Sequence, residues 1–583
     1  MSVAAKGATI AIADKVLEIA RTDPHRVALI RTHQSRRGEP TYRSFTYGEL
    51  SRRAESLAVG LRSIGVGEGT LCSFMVPPGF DAMVLGVALW RIGAVTVGIE
   101  PHSHGLRTVA RCLAGVGPQV FIGTPAAHAA RLAFGWGRGT VHTNIVVGAI
   151  APPGMHTLRS LETGTGDKPR GPDVSPGDIS VIAFTTGSTG APKPTVMRQR
   201  NLAAMISSVT THWGFDTDGG VIDMPTFPMF WIIGLSVGGT VVIPPMDFTL
   251  KGPGDADPAR LLRTINDCGV RSMFGSPALL KNLADHSAAS GQRALGLERI
   301  VAGGAEVNGP LFAEVKAMLG PNGEMFSDYG ATEALPVAEI AGTTVLNDTW
   351  PLTERGAGVC VGTPLADVEV RIVEVDDGTI ADWDDAVELP TGQIGEIVAR
   401  SPHICEDYFR NPEATAANKI PDGQGLAWHR LGDLGYLDDD GRLWACGRRS
   451  HRVRTAAGDL YPLCCEPVFN AHHAVARSAL IGIGRGELVE AAMCVELSEA
   501  VADTPDRRVD LERELLDLAS PFERTRPITR VVFTDRLPVD RRHNAKIDRP
   551  RLSAEFTADA TAGNSTPPRG VAFGRELRRR FRR

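Results

Sequence analysis

Short apolar runs of strand length recur along this chain, at 71–76, 94–99, 119–123, 144–149, 179–184, 221–227, 239–243, 271–274 and 299–302. Helical spacing fills 81–92, between the first two. Strands that alternate with helices imply parallel sheets covered by helices. Residues 15–65 also show helical spacing and end in the turn-rich Gly65-Val-Gly-Glu-Gly69. From about 356 the texture changes to short strands separated by Asp and Gly, at 368–375 and 395–400, which predicts a small β-rich subdomain over about 356–448. Past Gly447 the pattern resets: a helix at 466–472, strands at 474–482 and 491–496, a polar connector at 503–508, a helix at 511–518 and a strand at 530–533. The expected class is α/β, with a large N-terminal domain (1–448), an α+β C-terminal domain (449–555) and a tail (556–583).

The 583 residues exceed what one hydrophobic core organises. A hydrophobic content of 43% and a charged content of 22% fit an ordinary soluble globular protein. The formal charge is −5, but residues 564–583 carry seven arginines and one glutamate, so that tail is +6 and the remainder −11. A nucleic-acid enzyme would carry its basic patches through the folded part. The tail opens Asn-Ser-Thr-Pro-Pro and reads as disordered, either touching a partner or an anionic lipid surface or simply solvated. Nine scattered cysteines without a C-x-x-C pair argue against zinc and for reduced thiols in the cytoplasm. Pro101-His-Ser-His104 reads as a polar loop rather than a metal site. The N-terminus lacks the signature of a signal peptide. The run 224–246 is uncharged and long enough to span a bilayer, yet Pro225, Pro228, Pro244, Pro245 and its glycines break it. Buried strands and a pocket wall are the expectation there.

The strongest chemical signal is Ile182-Ala-Phe-Thr-Thr-Gly-Ser-Thr-Gly-Ala-Pro-Lys193. A buried strand empties into Thr185, Thr186, Gly187, Ser188, Thr189 and Gly190, and Lys193 closes the loop. Glycines let the backbone N–H groups turn inward, hydroxyls add donors, and the lysine adds charge, which suits a polyphosphate. No Gly-Lys-Ser/Thr ends the loop, so it is not a Walker A motif.

Four more segments follow in order: Asp328-Tyr-Gly-Ala-Thr-Glu333, Trp428-His-Arg-Leu-Gly-Asp-Leu-Gly-Tyr-Leu-Asp438, Gly447-Arg-Arg-Ser-His-Arg-Val453 and Pro538-Val-Asp-Arg-Arg-His-Asn-Ala-Lys-Ile-Asp-Arg549. With these, roughly residues 15–555 resemble the adenylate-forming superfamily of acyl-CoA synthetases, luciferases and peptide-synthetase adenylation domains. The resemblance implies ATP and Mg²⁺, and a mobile C-terminal lid hinged near Ser450. It implies that Lys546 acts on the transition state, that Glu333 and Thr185 hold the metal, and that Tyr329 and Gly330 pack on adenine opposite Gly304, Ala305 and Glu306, with Asp328, Ala331 and Thr332 also in the nucleotide site. Asp433 would accept the ribose hydroxyls, and Arg448 would reach ribose or phosphate.

Tyr329–Val337, Gly358–Pro364, Gly441–Arg448, Glu466–Asn470 and 542–546 are similar to olefin β-lactone synthetases. Such enzymes activate a 2-alkyl-3-hydroxy fatty acid, whose own hydroxyl then displaces AMP to close the lactone. Thr455-Ala-Ala-Gly458 stands where CoA ligases carry paired glycines beside the thiol path, and two Cβ atoms narrow such a path. Trp231 replaces a gating His, and Pro194 removes one N–H after the loop lysine. Phe227, Met229, Phe230 and Trp231 are the candidate acyl wall, with plain core as the alternative. The rival functions are a fatty-acid CoA ligase, a fatty-acyl-AMP ligase and a catalytically silent adenylate-binding scaffold. Assembly with other enzymes of a lactone or hydrocarbon pathway is the implied partnership.

Overall fold

A computed structural model describes residues 12–33, 39–162, 174–185, 192–215, 220–249, 252–423, 425–486, 489–499, 501, 504–539 and 547–561. The chain forms two compact units. One is Met1–Thr343, Thr363–Glu388 and Val398–Leu431; the other is Thr344–Gly362, Leu389–Ile397 and Gly432–Arg583.

The first unit contains a seven-stranded sheet in the order His156–Thr157, Thr143–Val146, Val120–Gly123, Leu71–Met75, Val95–Gly98, Ile179–Thr185, Lys193–Arg198. Every pairing is parallel except the last, where Thr185 lies opposite Lys193. Parallel strands need crossover helices, and these supply the cover. Helix Phe80–Arg91 is apolar all round and buries ten of its residues, as a helix in the middle of a core must. A second set of strands runs Thr41–Thr46, Val27–His33, Thr240–Ile243, Ile222–Pro225, Ser272–Gly275, Arg299–Ala302, Glu324–Ala331, Ala334–Ala341. It is parallel inside and antiparallel at both ends.

Helix starts follow a local rule. Thr124, Asp257, Ser276 and Thr504 each cap a helix through the side-chain oxygen and are each followed by proline at the first turn. The cap satisfies an orphan N–H, and proline lacks the N–H that would have been orphaned. Thr46 and Glu49 form a reciprocal capping box.

Four expectations need correction. The expected connector at 503–508 is helical from Pro505 on, with Thr504 as its cap. The stretch 15–65 holds helices Ile12–Thr22 and Tyr47–Ser63, but strands Val27–His33 and Thr41–Thr46 lie between them. The outer strand is a half-exposed edge, so no buried face imprints a period of two on it. Within 224–246 a helix, Trp231–Ser236, separates strands Ile222–Pro225 and Thr240–Ile243. It is short and buried on all sides, so periodicity does not distinguish it from a strand. Pro101–His104 is one helical turn rather than a loop. No helix among the described residues is long and apolar enough to cross a membrane.

Asp223 lies inside the second sheet, where burial pushes its carboxyl up to about 7 against hydrogen bonds from Ser272 and the Met224 N–H. The folded state therefore holds a proton between about pH 4 and 7 that the unfolded chain has released. Stability contributed at this site falls as pH rises through that window and levels off above it. Asp223→Asn removes the dependence. Between pH 4 and 8 the wild type should lose about 3–4 kcal/mol more unfolding free energy than the variant, an upper bound set by the shift. Denaturant titrations of both proteins at the two pH values provide the check; parallel losses would contradict it.

In the second unit, Val475–Ile483 and Glu490–Leu497 pair antiparallel, and Arg530–Thr534 adds a parallel strand. Helices Pro462–Asn470 and Pro505–Ala519 cover them. The buried Glu466 carboxylate accepts both Arg549 Nη2 (2.6 Å) and the Leu480 N–H (2.9 Å).

Candidate functional site

Glu333 stands in the two-residue turn Thr332-Glu333 that joins antiparallel strands Glu324–Ala331 and Ala334–Ala341. Gly330 is required just before it, because a Cβ there would lie 2.3 Å from the Ala334 carbonyl oxygen. The turn is held from outside: the Cys405 N–H donates to the Glu333 carbonyl at 2.8 Å, and the Tyr408 hydroxyl donates to Glu333 Oε1 at 2.8 Å. Glu333 is buried at 7% exposure, so this is a fixed carboxylate. A carboxylate has about four acceptor positions, and one phenol does not exhaust them.

Tyr408 ties this turn to the end of the hydroxyl-rich motif. Segment 404–409 runs along strand Lys193–Arg198, with Phe409 N–H donating to the Pro194 carbonyl at 2.8 Å. Lys193 Nζ lies 5.2 Å from the Tyr408 ring centroid and donates to Asn418 Oδ1 at 3.1 Å. Thr185 is buried beside it, at the end of its strand. Lys419 is buried too, donates to the Cys405 carbonyl, and is pushed down to about 8 by burial, against the nearby Glu333. Thr185, Lys193, Tyr408 and Glu333 thus form one continuous polar seam. Burial and Glu333 raise the Tyr408 phenol, which keeps its proton and donates a hydrogen bond to Glu333.

The loop residues Thr186, Gly187, Ser188, Thr189 and Gly190, and Lys546, lie outside the described residues. The flanks of Lys546 are nevertheless fixed. Val539 bridges Ile547, the Asp548 N–H donates to the Pro538 carbonyl at 2.8 Å, and Arg549 is clamped by Glu466.

Asp328 and Tyr329 point to opposite faces of their strand. Asp328 is buried opposite Glu339, and burial, then Glu339, raises its carboxyl. Glu339 meanwhile accepts the Trp213 indole N–H (3.0 Å) and pairs with His212 (3.0 Å) and Arg299 (3.4 Å). Gly304, Ala305 and Glu306 follow strand Arg299–Ala302 in a turn, with Gly304 at φ +88°. Phe227 packs next to that turn, 3.7 Å from where a Gly304 Cβ would sit. Phe227 and Phe230 both pack on Phe274, the latter stacked at 4.1 Å. Trp231 stacks on Trp90 and touches Gly86, where any side chain would meet its ring. Met229 is exposed.

In the second unit, Asp433 and Arg448 face each other across antiparallel strands Ala427–Leu437 and Leu443–Arg448. Arg448 Nε reaches Asp433 Oδ1 at 3.0 Å. The hairpin is locked by Asp438, which accepts from the Arg442 N–H (2.8 Å) and the Trp444 indole (2.8 Å). Thr455 and Gly458 close a second hairpin, with Ala456 and Ala457 exposed at its tip.

The model of the AMP-binding enzyme family matches residues 16–409. The chain belongs to this family. Among its relatives is the olefin beta-lactone synthetase of Stenotrophomonas maltophilia, 38% identical over 94% of this chain and 98% of that protein. The enzyme of the same description from Xanthomonas campestris pv. campestris is also 38% identical, over 93% and 96%. A 4-chlorobenzoate–CoA ligase from an Arthrobacter species is 27% identical over 86% and 88%. The amide bond synthetase McbA from Marinactinospora thermotolerans shares the fold at TM-score 0.74 and 23% identity, over 94% of this chain and 99% of that one. The protein is thus an adenylate-forming enzyme, an AMP-forming ligase that uses ATP.

Within this AMP-binding enzyme, sequence reading missed Tyr408, Asn418 and Lys419. Tyr408 is 75 positions from Glu333, and Asn418 is 225 from Lys193. No spacing rule links residues so distant. The local signal available was the Asn411-Pro412 helix start, which orients Tyr408 through Thr415 Oγ1.

Proposed function

We propose that this ligase activates a 2-alkyl-3-hydroxy fatty acid as its acyl adenylate and closes it to a β-lactone through the substrate's own hydroxyl. The observation that carries this reading is the 38% identity to two olefin beta-lactone synthetases over nearly the whole chain, against 27% to a CoA ligase. The exposed Ala456-Ala457 tip supports it, since two side chains stand where a thiol path favours glycines.

In the first half-reaction the carboxylate attacks the α-phosphorus of ATP and pyrophosphate leaves. Two anions meet, so the transition state needs fixed positive charge and donors. Lys546 supplies the charge, the 185–193 loop holds the phosphates, and Asp433 with Arg448 orients the ribose. Tyr329, Gly330 and the 304–306 turn hold adenine. Mg²⁺, when bound, neutralises phosphate charge. The donor set fits it: a buried Glu333 carboxylate and a buried Thr185 hydroxyl are hard oxygen ligands, and phosphates complete such a shell. The C-terminal domain, 449–555, acts as a lid hinged near Ser450. A cytoplasmic setting suits its free cysteines, eight of them buried.

In the second half-reaction the 3-hydroxyl attacks the acyl carbon, the bond to the adenylate breaks, and AMP leaves with the lactone formed. The site's task is to keep water out, and the Phe227, Phe230 and Trp231 wall, packed on the core, suits it. Mass spectrometry of the product from ATP, Mg²⁺ and a 2-alkyl-3-hydroxy acid, with and without CoA, tests the reading. A thioester as main product would return the chain to the CoA ligases.

Glu333→Gln keeps the acceptor for Tyr408 but removes the negative charge. Mg²⁺-dependent turnover should fall by roughly two orders of magnitude, an effect typical of one electrostatic contact in a transition state. Nucleotide binding without metal should change little. Titrating ATP in the presence and absence of Mg²⁺ distinguishes the two; equal losses would make Glu333 structural.

A further inference from the structure

We propose that the edge of the seven-stranded sheet built by residues 101–161 docks this enzyme onto an anionic lipid surface. Between Glu100 and Glu162 the chain carries no aspartate, glutamate or lysine, but five arginines. A chain with 67 acidic residues in 583 would ordinarily place about seven in a segment of that length. The overall charge is −5, so this +5 segment runs against the rest of the molecule. Arg107, Arg111, Arg138 and Arg159 are exposed, and among the described residues none of the five arginines is ion-paired with a carboxylate. Arg111 donates to the Thr108 hydroxyl, and Arg131 lies over the Phe121 ring.

The same segment presents apolar side chains to solvent. Leu132 is 70% exposed and Ile150 82%, with Leu106 and Phe134 near 40% and 39%. They belong to one structure. Helix Pro125–Phe134 carries Leu132 and Phe134; Trp136 just beyond it donates to the Leu106 carbonyl at 2.9 Å and packs beside Phe134. At the other end of the helix, Pro125 packs against Gly148, two residues before Ile150. The helix is pinned to the sheet through His128, whose Nε2 meets the Ile145 carbonyl, so Leu132 and Phe134 are presented by an anchored element. Strands Val120–Gly123, Thr143–Val146 and His156–Thr157 form the outer edge of the sheet beneath it.

Arginine charge draws a protein to an anionic leaflet, and singly protruding aliphatic side chains enter the acyl boundary. A protein partner would instead be met by clustered, half-buried aromatic anchors ringed by polar contacts. Leu132 and Ile150 stand out individually, which fits lipid. This inference does not depend on the lactone reading.

The test is sedimentation of the full-length protein with vesicles of phosphatidylcholine alone or mixed with phosphatidylglycerol, at low and high salt. To separate this surface from the arginine-rich end, the arginines of 564–583 are changed to serine throughout. We expect binding to the anionic vesicles, weakened by salt, and reduced about tenfold or more in Leu132→Glu/Ile150→Glu and in Arg107→Glu/Arg111→Glu. Pyrophosphate release should stay unchanged, because these side chains are exposed and outside the site. Absent binding, or equal binding by both variants, overturns the proposal, and so does capture of an acidic protein by a chain that ignores the vesicles.

Discussion

An acid that lacks its 3-hydroxyl should be adenylated and then stop, whereas the 3-hydroxy acid should run on to AMP, pyrophosphate and β-lactone with CoA absent. The difference lies in where the second nucleophile comes from. A tethered hydroxyl needs no second binding event, and effective molarities of about 10⁵–10⁸ M are reached in well-oriented intramolecular reactions. Remove the hydroxyl, and only water remains, which the proposed acyl wall of Phe227, Phe230 and Trp231, packed on the core, would hold off. AMP release from the deoxy acid should therefore be at least about a thousandfold slower, allowing generously for water leakage. Added CoA should change neither rate nor product, since on the proposed reading the exposed Ala456-Ala457 tip would narrow the approach of a thiol. Single-turnover quenching with both acids, following AMP and adenylate separately, measures this. Comparable AMP release from both acids in the presence of CoA would sink it.

The second large effect concerns Lys546. Lys546→Ala should lower adenylate formation by roughly 10²–10³-fold or more, the scale of one preorganised charge in a transition state. In the proposed reaction its ammonium would act where negative charge is shared between attacking carboxylate, α-phosphate and leaving pyrophosphate. Ground-state ATP gains less from it, so nucleotide affinity should be largely kept. The fold should also survive, because the Val539–Ile547 bridge and the Arg549–Glu466 pair hold the flanks without the lysine. Pyrophosphate release and nucleotide binding measured on the same preparation separate chemistry from folding. A variant that releases pyrophosphate at nearly the wild-type rate would remove Lys546 from the mechanism.

Regularities confined to a few residues were decided by the chain itself. The alternation of apolar runs with helical stretches set the parallel sheets, because parallel strands can be joined only through crossovers. Strands expected at 299–302 and 395–400 have those bounds in the structure. The apolar run into Thr185 and the opposition of Asp433 to Arg448 also arise from short-range order, within one strand and one hairpin. Even the helix at Pro505 was written locally, in the Thr504-Pro505 cap. Tertiary structure decided what had no local imprint. The edge strand Thr41–Thr46 lacks a buried face, and helix Trp231–Ser236 is too short and too uniformly apolar to show a period. Glu333 is a carboxylate anywhere in the sequence, but a fixed one only because Tyr408 and Cys405 fold back onto its turn. Asp328, within the same short motif, is turned by strand alternation into a buried cluster with Glu339. Sequence names the chemical groups, but burial and long-range packing set their charge and their aim, and neither is encoded within a window of neighbouring residues.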